Sequence, residues 1–414
     1  MKTFISDKVT GKKITDVVFQ ASQGALRAME GKNGESVVNG AFGTYFNEEG
    51  KIHTFDTIYE LFDKVDRVEK AKYAAGIPGP KTFRDGVKYW LFERYGVDLE
   101  SDVIATPGGT GALSSTVKNT LAPGETVIQP DIGWGPYKTI AAQHNVNIEN
   151  YTLFNKEDQF NFQSFKTVTS KVMEREGKVL VFINDPCQNP TGYTMTEEEW
   201  ESVLSYLDRL SDEGPVVLVH DVAYIDFHKG EQYGKIFEKY KHLNDNILVV
   251  LAFSASKTMT AYGMRVGAQV LISNNKEGRE AFKNACENTA RGIWSTVNNG
   301  GMMTFASLAR DKEAQARYQK EKAEVMNVID ERASILTKEA EAIGLDFYPY
   351  KEGFFITMRV HDEDKKTRIH KALNDAGIFF VNIKGGLRIA ICSIQKAKLK
   401  GLAERVKSIH DETD

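Results

Sequence analysis

ILVVLAFSASKTMTAYGMRVGAQVLIS, residues 247–273, holds two apolar runs around a short polar segment. ILVVLAFS (247–254) and RVGAQVLIS (265–273) have the length of strands and are far too short to span a membrane. The first is nearly continuous Ile, Leu and Val, the composition of a strand covered on both faces. The same kind of run recurs upstream. VIATP (103–107), TVIQP (126–130), VNIENYTL (146–153), VLVFIND (179–185) and VVLVHD (216–221) all precede it. Helical patterns lie between some of these runs, at 111–121, 163–175 and 196–213. The last opens on Thr196-x-x-Glu199, a capping box in which each side chain satisfies the other's free backbone N–H. Strand–helix alternation of this kind predicts an α/β domain with a mostly parallel, seven-stranded sheet flanked by helices.

The ends of the chain read differently. Residues 15–30 form one helical pattern, and a long amphipathic stretch covers 313–343. DFYPY (346–350), FFITMRV (354–360), FFVNI (379–383) and LRIAICS (387–393) follow, with helices near 363–376 and 395–410. This predicts a smaller α+β domain. The division expected is 52–312 for the large domain, with 1–51 and 313–414 making the small one. The long helix serves as the connection, and no internal repeat or low-complexity segment is visible.

A chain of 414 residues exceeds what one core supports, in line with two domains. Its net charge of −4 argues against nucleic acid as the main partner, since such proteins carry a basic excess. Cys187, Cys286 and Cys392 are too few and too far apart for a disulfide framework or a local metal motif. The N-terminus, MKTFISDKVTGKK, lacks the apolar core of a signal peptide. The expectation is a cytoplasmic protein with reduced thiols, no metal and no membrane association.

Lys257 stands at the end of the 247–254 run, among Ser254, Ala255 and Ser256, with Arg265 eight residues on. A lysine there is either a surface loop residue or a Schiff-base lysine, which needs an accessible amine of lowered pKa. In the second reading Ser254, Ser256 and Arg265 bind an anion beside it, the guanidinium fork being suited to phosphate. Asp221 ends VVLVHD, with Tyr224 three residues later. A carboxylate at a buried strand end is costly unless a cation pairs with it, and a pyridinium nitrogen is such a cation. Otherwise Asp221 caps the next loop. Asn189 lies in NDPCQNPTGY (184–193), a turn on composition that also offers a side-chain donor to a phenolate oxygen. TPGGTGA (106–112) joins a strand to a helix. It matches neither the dinucleotide fingerprint nor the P-loop. Its glycines and the free N–H groups of the helix start still suit an anion, with Gly109 and Thr110 meeting it.

Taken in order, TPGGTGA, IGWGPY (132–137), NDPCQNPTG, HDVAY (220–224), SASKTMTAYGMRVG (254–267) and LRIAI resemble the aspartate/aromatic aminotransferases. These are class I members of the fold-type-I pyridoxal-phosphate enzymes. The resemblance runs from about Gly40 to Arg388 and implies pyridoxal 5'-phosphate as cofactor. It implies that Lys257 carries the cofactor and moves a proton, that Asp221 pairs with the pyridine nitrogen, and that Asn189 and Tyr224 hold the phenolic oxygen. Gly109, Thr110, Ser254, Ser256 and Arg265 then bind the phosphate, and Trp134 stacks on the ring. Arg388 grips the substrate carboxylate, with Gly43 of NGAFGTY nearby. Tyr73 resembles the tyrosine that reaches the partner subunit's phosphate, so a homodimer with shared active sites is implied. Arg291 of ARGIWS, with Ser295, stands where dicarboxylate-using members keep an arginine from the neighbouring subunit. Aspartate or glutamate is therefore the expected amino donor, with aromatic amino acids also open, and a 2-oxo acid the acceptor. A carbon–sulfur β-lyase on the same fold is the first alternative, and a cofactor-binding regulator the second. Two positions depart from the pattern: Tyr137 and Gln188 stand where histidine is frequent.

Overall fold

The computed structural model describes residues 4, 16–31 and 34–413. Apart from Phe4, the N-terminal stretch read above for a signal peptide lies outside the described residues, as does the start of the 15–30 helix at residue 15. The first strand, β1 (Val38–Asn39), finds its partner late in the chain. The next seven build one sheet: β2 (Asp102–Thr106), β3 (Thr126–Pro130), β4 (Asn147–Tyr151), β5 (Val179–Asn184), β6 (Val216–Asp221), β7 (Ile247–Phe253) and β8 (Gly267–Ile272). Their spatial order is β2-β8-β7-β6-β5-β3-β4. β7, β6, β5, β3 and β4 pair in parallel, while β8 runs antiparallel between β2 and β7.

The unbroken apolar runs have a direct cause. On β5, Leu180 and Phe182 point into one core cluster, and Val179, Val181 and Ile183 into the other. Both faces are dry, so neither half of the two-residue alternation can be polar. The helices Gly108–Thr120 and Lys276–Ile293 cover the face holding Leu180. The capping box at Thr196 forms as expected and starts Glu197–Leu210, whose Trp200, Val203 and Leu207 are buried on the opposite face.

β9 (Phe355–Arg359), β10 (Ile378–Phe379), β11 (Val381–Ile383) and β12 (Gly386–Ala390) follow the long helix Lys312–Ala342. β11, β12 and β9 form a three-stranded antiparallel sheet, and β10 pairs in parallel with β1. FFVNI is thus split between two sheets. DFYPY forms no strand and makes one bridge, Phe347 to Met358. The helix expected over 395–410 is broken into Lys396–Leu399 and Leu402–Glu412, because Gly401 takes a left-handed φ of 70°. The helix expected from 111 starts three residues earlier, at Gly108. The glycines there form the first turn of the helix, a place where sequence composition signals a loop.

Candidate active site

Parallel pairing aligns the carboxyl ends of three strands. Asn184, Asp221 and Ala252 lie side by side in the register of β5, β6 and β7. β2 ends at the same edge, with Thr106 opposite Gly267 and Ala268 opposite Phe253. Ligands of open α/β sheets bind outside such an edge. A cavity of about 280 Å³ lies there. Gly43, Gly109, Thr110, Trp134, Asn189, Asp221, Tyr224, Ser254, Lys257, Arg265 and Arg388 all line it, so eleven expected residues meet in one place.

At one end the cavity is built for an anion. The helix Gly108–Thr120 presents its N-terminus, with free N–H groups at Gly109 and Thr110. Arg265 lies across this turn and donates to the carbonyls of Tyr262 and Pro107 at 3.2 and 3.4 Å. Gly108 makes that possible, for a Cβ there would sit 2.3 Å from the Arg265 guanidinium. Ser254 faces the same space. Ser256 does not: its hydroxyl donates to the Val266 carbonyl and accepts from the Val266 N–H, bracing the lysine turn from behind.

The opposite end carries the carboxylate. Asp221 is buried and accepts a hydrogen bond from the Tyr137 hydroxyl at 2.7 Å and from the Ala223 N–H at 3.2 Å. Burial raises its pKa to about 6; the Tyr137 and Ala223 hydrogen bonds and the charge of Lys257 pull the other way. Tyr137, where histidine is frequent, therefore keeps contact with the aspartate through a neutral donor. Burial pushes the Tyr137 hydroxyl far above its ordinary range, so it stays protonated.

Lys257 lies between these ends, on the four-residue helix Ala255–Thr258. Its Nζ donates to the Gly43 carbonyl at 3.2 Å. Burial lowers its pKa to about 8; Cys392 acts in the opposite sense, and Arg265 and Arg388 add to the lowering. An amine so poised is neutral roughly a tenth of the time at pH 7, far more often than an ordinary lysine.

Arg388, on β12, reaches the cavity from the small sheet. It donates to the Asn189 amide oxygen at 3.1 Å and to the Ala41 carbonyl at 2.7 Å. Its Nε is buried without a partner, an orphaned donor beside the cavity. The Asn189 backbone N–H donates to the Asn184 side chain at 2.8 Å, which fixes the turn. With its amide oxygen held by Arg388, Asn189 offers its amide nitrogen to the cavity. Trp134 stands edge-on to Tyr137 at 5.4 Å and leaves a face toward the opening.

Tyr73 and Arg291 are not brought into this cavity. Tyr73 is 83% exposed, and Arg291 lies on the exposed side of its helix, donating to the Ser295 hydroxyl at 2.6 Å. Other lining residues escaped the sequence reading: Val18, Thr44, Tyr262 and Phe355. Tyr262 carried a usable signal, its place between Lys257 and Arg265. Val18 carried none, since the apolar residues of its helix read as ordinary packing. Among the described residues, no cluster of metal-ligating side chains exists and no helix is long and apolar enough to cross a membrane.

Comparison with known proteins agrees with this geometry. Residues 38–406 match the family model described as aminotransferase class I and II. The chain is 22% identical over 389 residues to the aspartate aminotransferase of Pseudomonas aeruginosa, covering 90% of this chain and 92% of that one. A crystal structure of an aminotransferase from Anaerococcus prevotii superposes with a TM-score of 0.93 at 33% identity, over the full length of both chains. An aromatic-amino-acid aminotransferase from Burkholderia pseudomallei, covalently bound to pyridoxal phosphate, shares the fold with a TM-score of 0.78 at 20% identity. That match covers 98% of this chain and all of the other. With a family match over most of its length and a cationic, lysine-bearing cavity at the sheet edge, the chain belongs to the class I and II aminotransferases.

Proposed function

We propose that this pyridoxal-phosphate-dependent aminotransferase moves the amino group of an acidic L-amino acid, aspartate or glutamate, to a 2-oxo acid. One observation carries the site assignment: Arg265, Lys257 and Asp221 line a single cavity, with the anion-binding turn at one end and the buried carboxylate at the other. These residues fit the cofactor. A phosphate suits the helix N-terminus beside Arg265. A protonated ring nitrogen relieves the burial cost of Asp221. The orphaned Arg388 Nε suits a substrate carboxylate gripped by two parallel N–H donors.

Bound pyridoxal phosphate supplies an electron-withdrawing ring that spreads the charge left when the substrate loses its α-proton. The protein does the rest. Gly109, Thr110, Ser254 and Arg265 hold the phosphate, while Trp134 covers the ring. Asp221, aimed by Tyr137, keeps the ring nitrogen protonated. Asn189 and Tyr224 hydrogen-bond the phenolic oxygen. Arg388 and Gly43 orient the substrate so that its α-hydrogen faces Lys257. Lys257 would anchor the cofactor covalently and, once substrate has taken its place there, its Nζ would serve as the base that removes and returns the α-proton.

Arg291 supports the acidic donor, and its exposure supports a homodimer in which Arg291 and Tyr73 serve the neighbouring subunit's site. A division into a large domain, 52–312, and a small one, 1–51 with 313–414, is supported by strand membership, since the seven-stranded sheet draws only on the first and the two- and three-stranded sheets only on the second. Cytoplasmic placement rests on the three free, buried cysteines. Titration of the cofactor-loaded protein with a panel of amino acids, following the visible cofactor band, tests the substrate. Aspartate or glutamate bleaches the band and yields the matching oxo acid. A response to tyrosine or phenylalanine alone contradicts the role given to Arg291, and pyruvate released from cystathionine contradicts transamination.

A further inference from the structure

Lys257 Nζ has one hydrogen-bond partner among the described residues, the Gly43 carbonyl at 3.2 Å. Two aromatic rings supply the rest of its surroundings. Nζ lies over the Tyr224 ring at 5.1 Å and over the Tyr262 ring at 5.0 Å from their centroids. Tyr224 belongs to the cofactor site already described. Tyr262 has no role there, yet it is firmly placed: its hydroxyl accepts from the Tyr45 N–H at 3.1 Å, and its carbonyl accepts from Arg265 at 3.2 Å. Tyr45 follows Gly43 by two residues, so one residue, Tyr262, through its hydroxyl and its backbone carbonyl, ties the lysine's carbonyl partner to the phosphate arginine.

We propose that Tyr262 is a positioning residue for transamination, its ring completing with Tyr224 a cradle that holds the Lys257 amine beside the Gly43 carbonyl once substrate has displaced it. This rests on Lys257 being the cofactor lysine. The logic is electrostatic. A free amine that must next take a proton needs a fixed position without a strong proton trap. A carboxylate partner would hold the ammonium and raise its pKa. The negative face of an aromatic ring attracts the cation far more weakly, and still orients it. The charges facing Nζ are Arg265, Arg388 and Asp221, whose effects on the amine oppose one another, and the Cys392 thiol beside them is kept neutral by burial.

The test substitutes position 262 in the full-length protein and reads two quantities. The first is the pH dependence of Lys257 acetylation in protein stripped of cofactor, followed by peptide mass spectrometry. The second is kcat and KM for transamination. Tyr262→Leu should lower the labelling midpoint by roughly half a pH unit and cut kcat about tenfold at nearly unchanged KM. Tyr262→Phe, which keeps the ring, should stay within about twofold of the parent. Phenylalanines of increasing fluorine content at 262 keep the shape and drain the ring face, and their midpoints should fall stepwise. A flat fluorine series, or a Phe variant as impaired as Leu, overturns the proposal. Cofactor found elsewhere than on Lys257 after borohydride reduction overturns the assignment beneath it, a result the labelling series cannot mimic.

Discussion

Asp221 and Lys257 are held away from their ordinary proton affinities by one cause, burial, and their neighbours decide what each can do. Tyr137 is the neighbour particular to this chain. Tyr137→Phe removes a 2.7 Å donor from a buried carboxylate. The cost is about 1–2 kcal/mol to the charged form, so cofactor should bind about tenfold more weakly with the fold intact. Equilibrium dialysis measures this, and unchanged affinity would contradict the role of the hydroxyl. The lysine makes a pH-dependent prediction. Its folded pKa of about 8 lies below the ordinary 10.5, so between those values the unfolded chain binds more protons. Without cofactor, stability therefore rises with pH across that window, and the full penalty is present below about 8. Lys257→Met should raise the stability of cofactor-free protein at pH 7, by up to about 3 kcal/mol, and the gain should vanish above about pH 10.5. Denaturant melts at both pH values decide the matter.

Among the elements, the first turn of Gly108–Thr120 is constrained from both sides. Gly108 has φ 71°, and its missing Cβ leaves room for Arg265. Gly108→Ala should cost about 1–3 kcal/mol of stability from backbone strain and displace the arginine. Phosphate-dependent cofactor affinity should fall more than stability does, which parallel melting and binding curves report. The inner strands of the large sheet were legible because burial on both faces forces continuous apolar runs, whereas the edge strand β4, NIENY, is largely uncovered and was legible only from its place in the strand–helix alternation. The lysine, aspartate and glycine-rich segments were legible because chemistry demands those residue types at strand ends. The small sheet was less so. β10 and β11 share one apolar run, and only tertiary pairing assigns one half to β1 and the other to β12. Ser256 shows a related limit. Composition placed it with the anion site, whereas its hydroxyl satisfies the Val266 backbone, a demand visible only once the two segments lie together.

On the scale of the whole molecule, two expected site residues lie outside their own cavity. Tyr73 and Arg291 are exposed, as is Ile293 at 60% beside Arg291. If the active sites are shared across a two-fold dimer, mixing inactive Lys257→Ala chains with Arg291→Ala chains should restore activity toward aspartate. Random pairing puts Lys257 and Arg291 together at about one site in four. No recovery on mixing would place Arg291 outside the site. Every role assigned to the cavity depends on one lysine, Lys257, just beyond the end of β7. Borohydride reduction of the cofactor-loaded protein, followed by digestion and peptide mass spectrometry, reads its role directly. The prediction is a pyridoxyl mass on the peptide bearing Lys257 and on no other lysine; a label elsewhere, or none at all, would show that Lys257 is not the cofactor lysine.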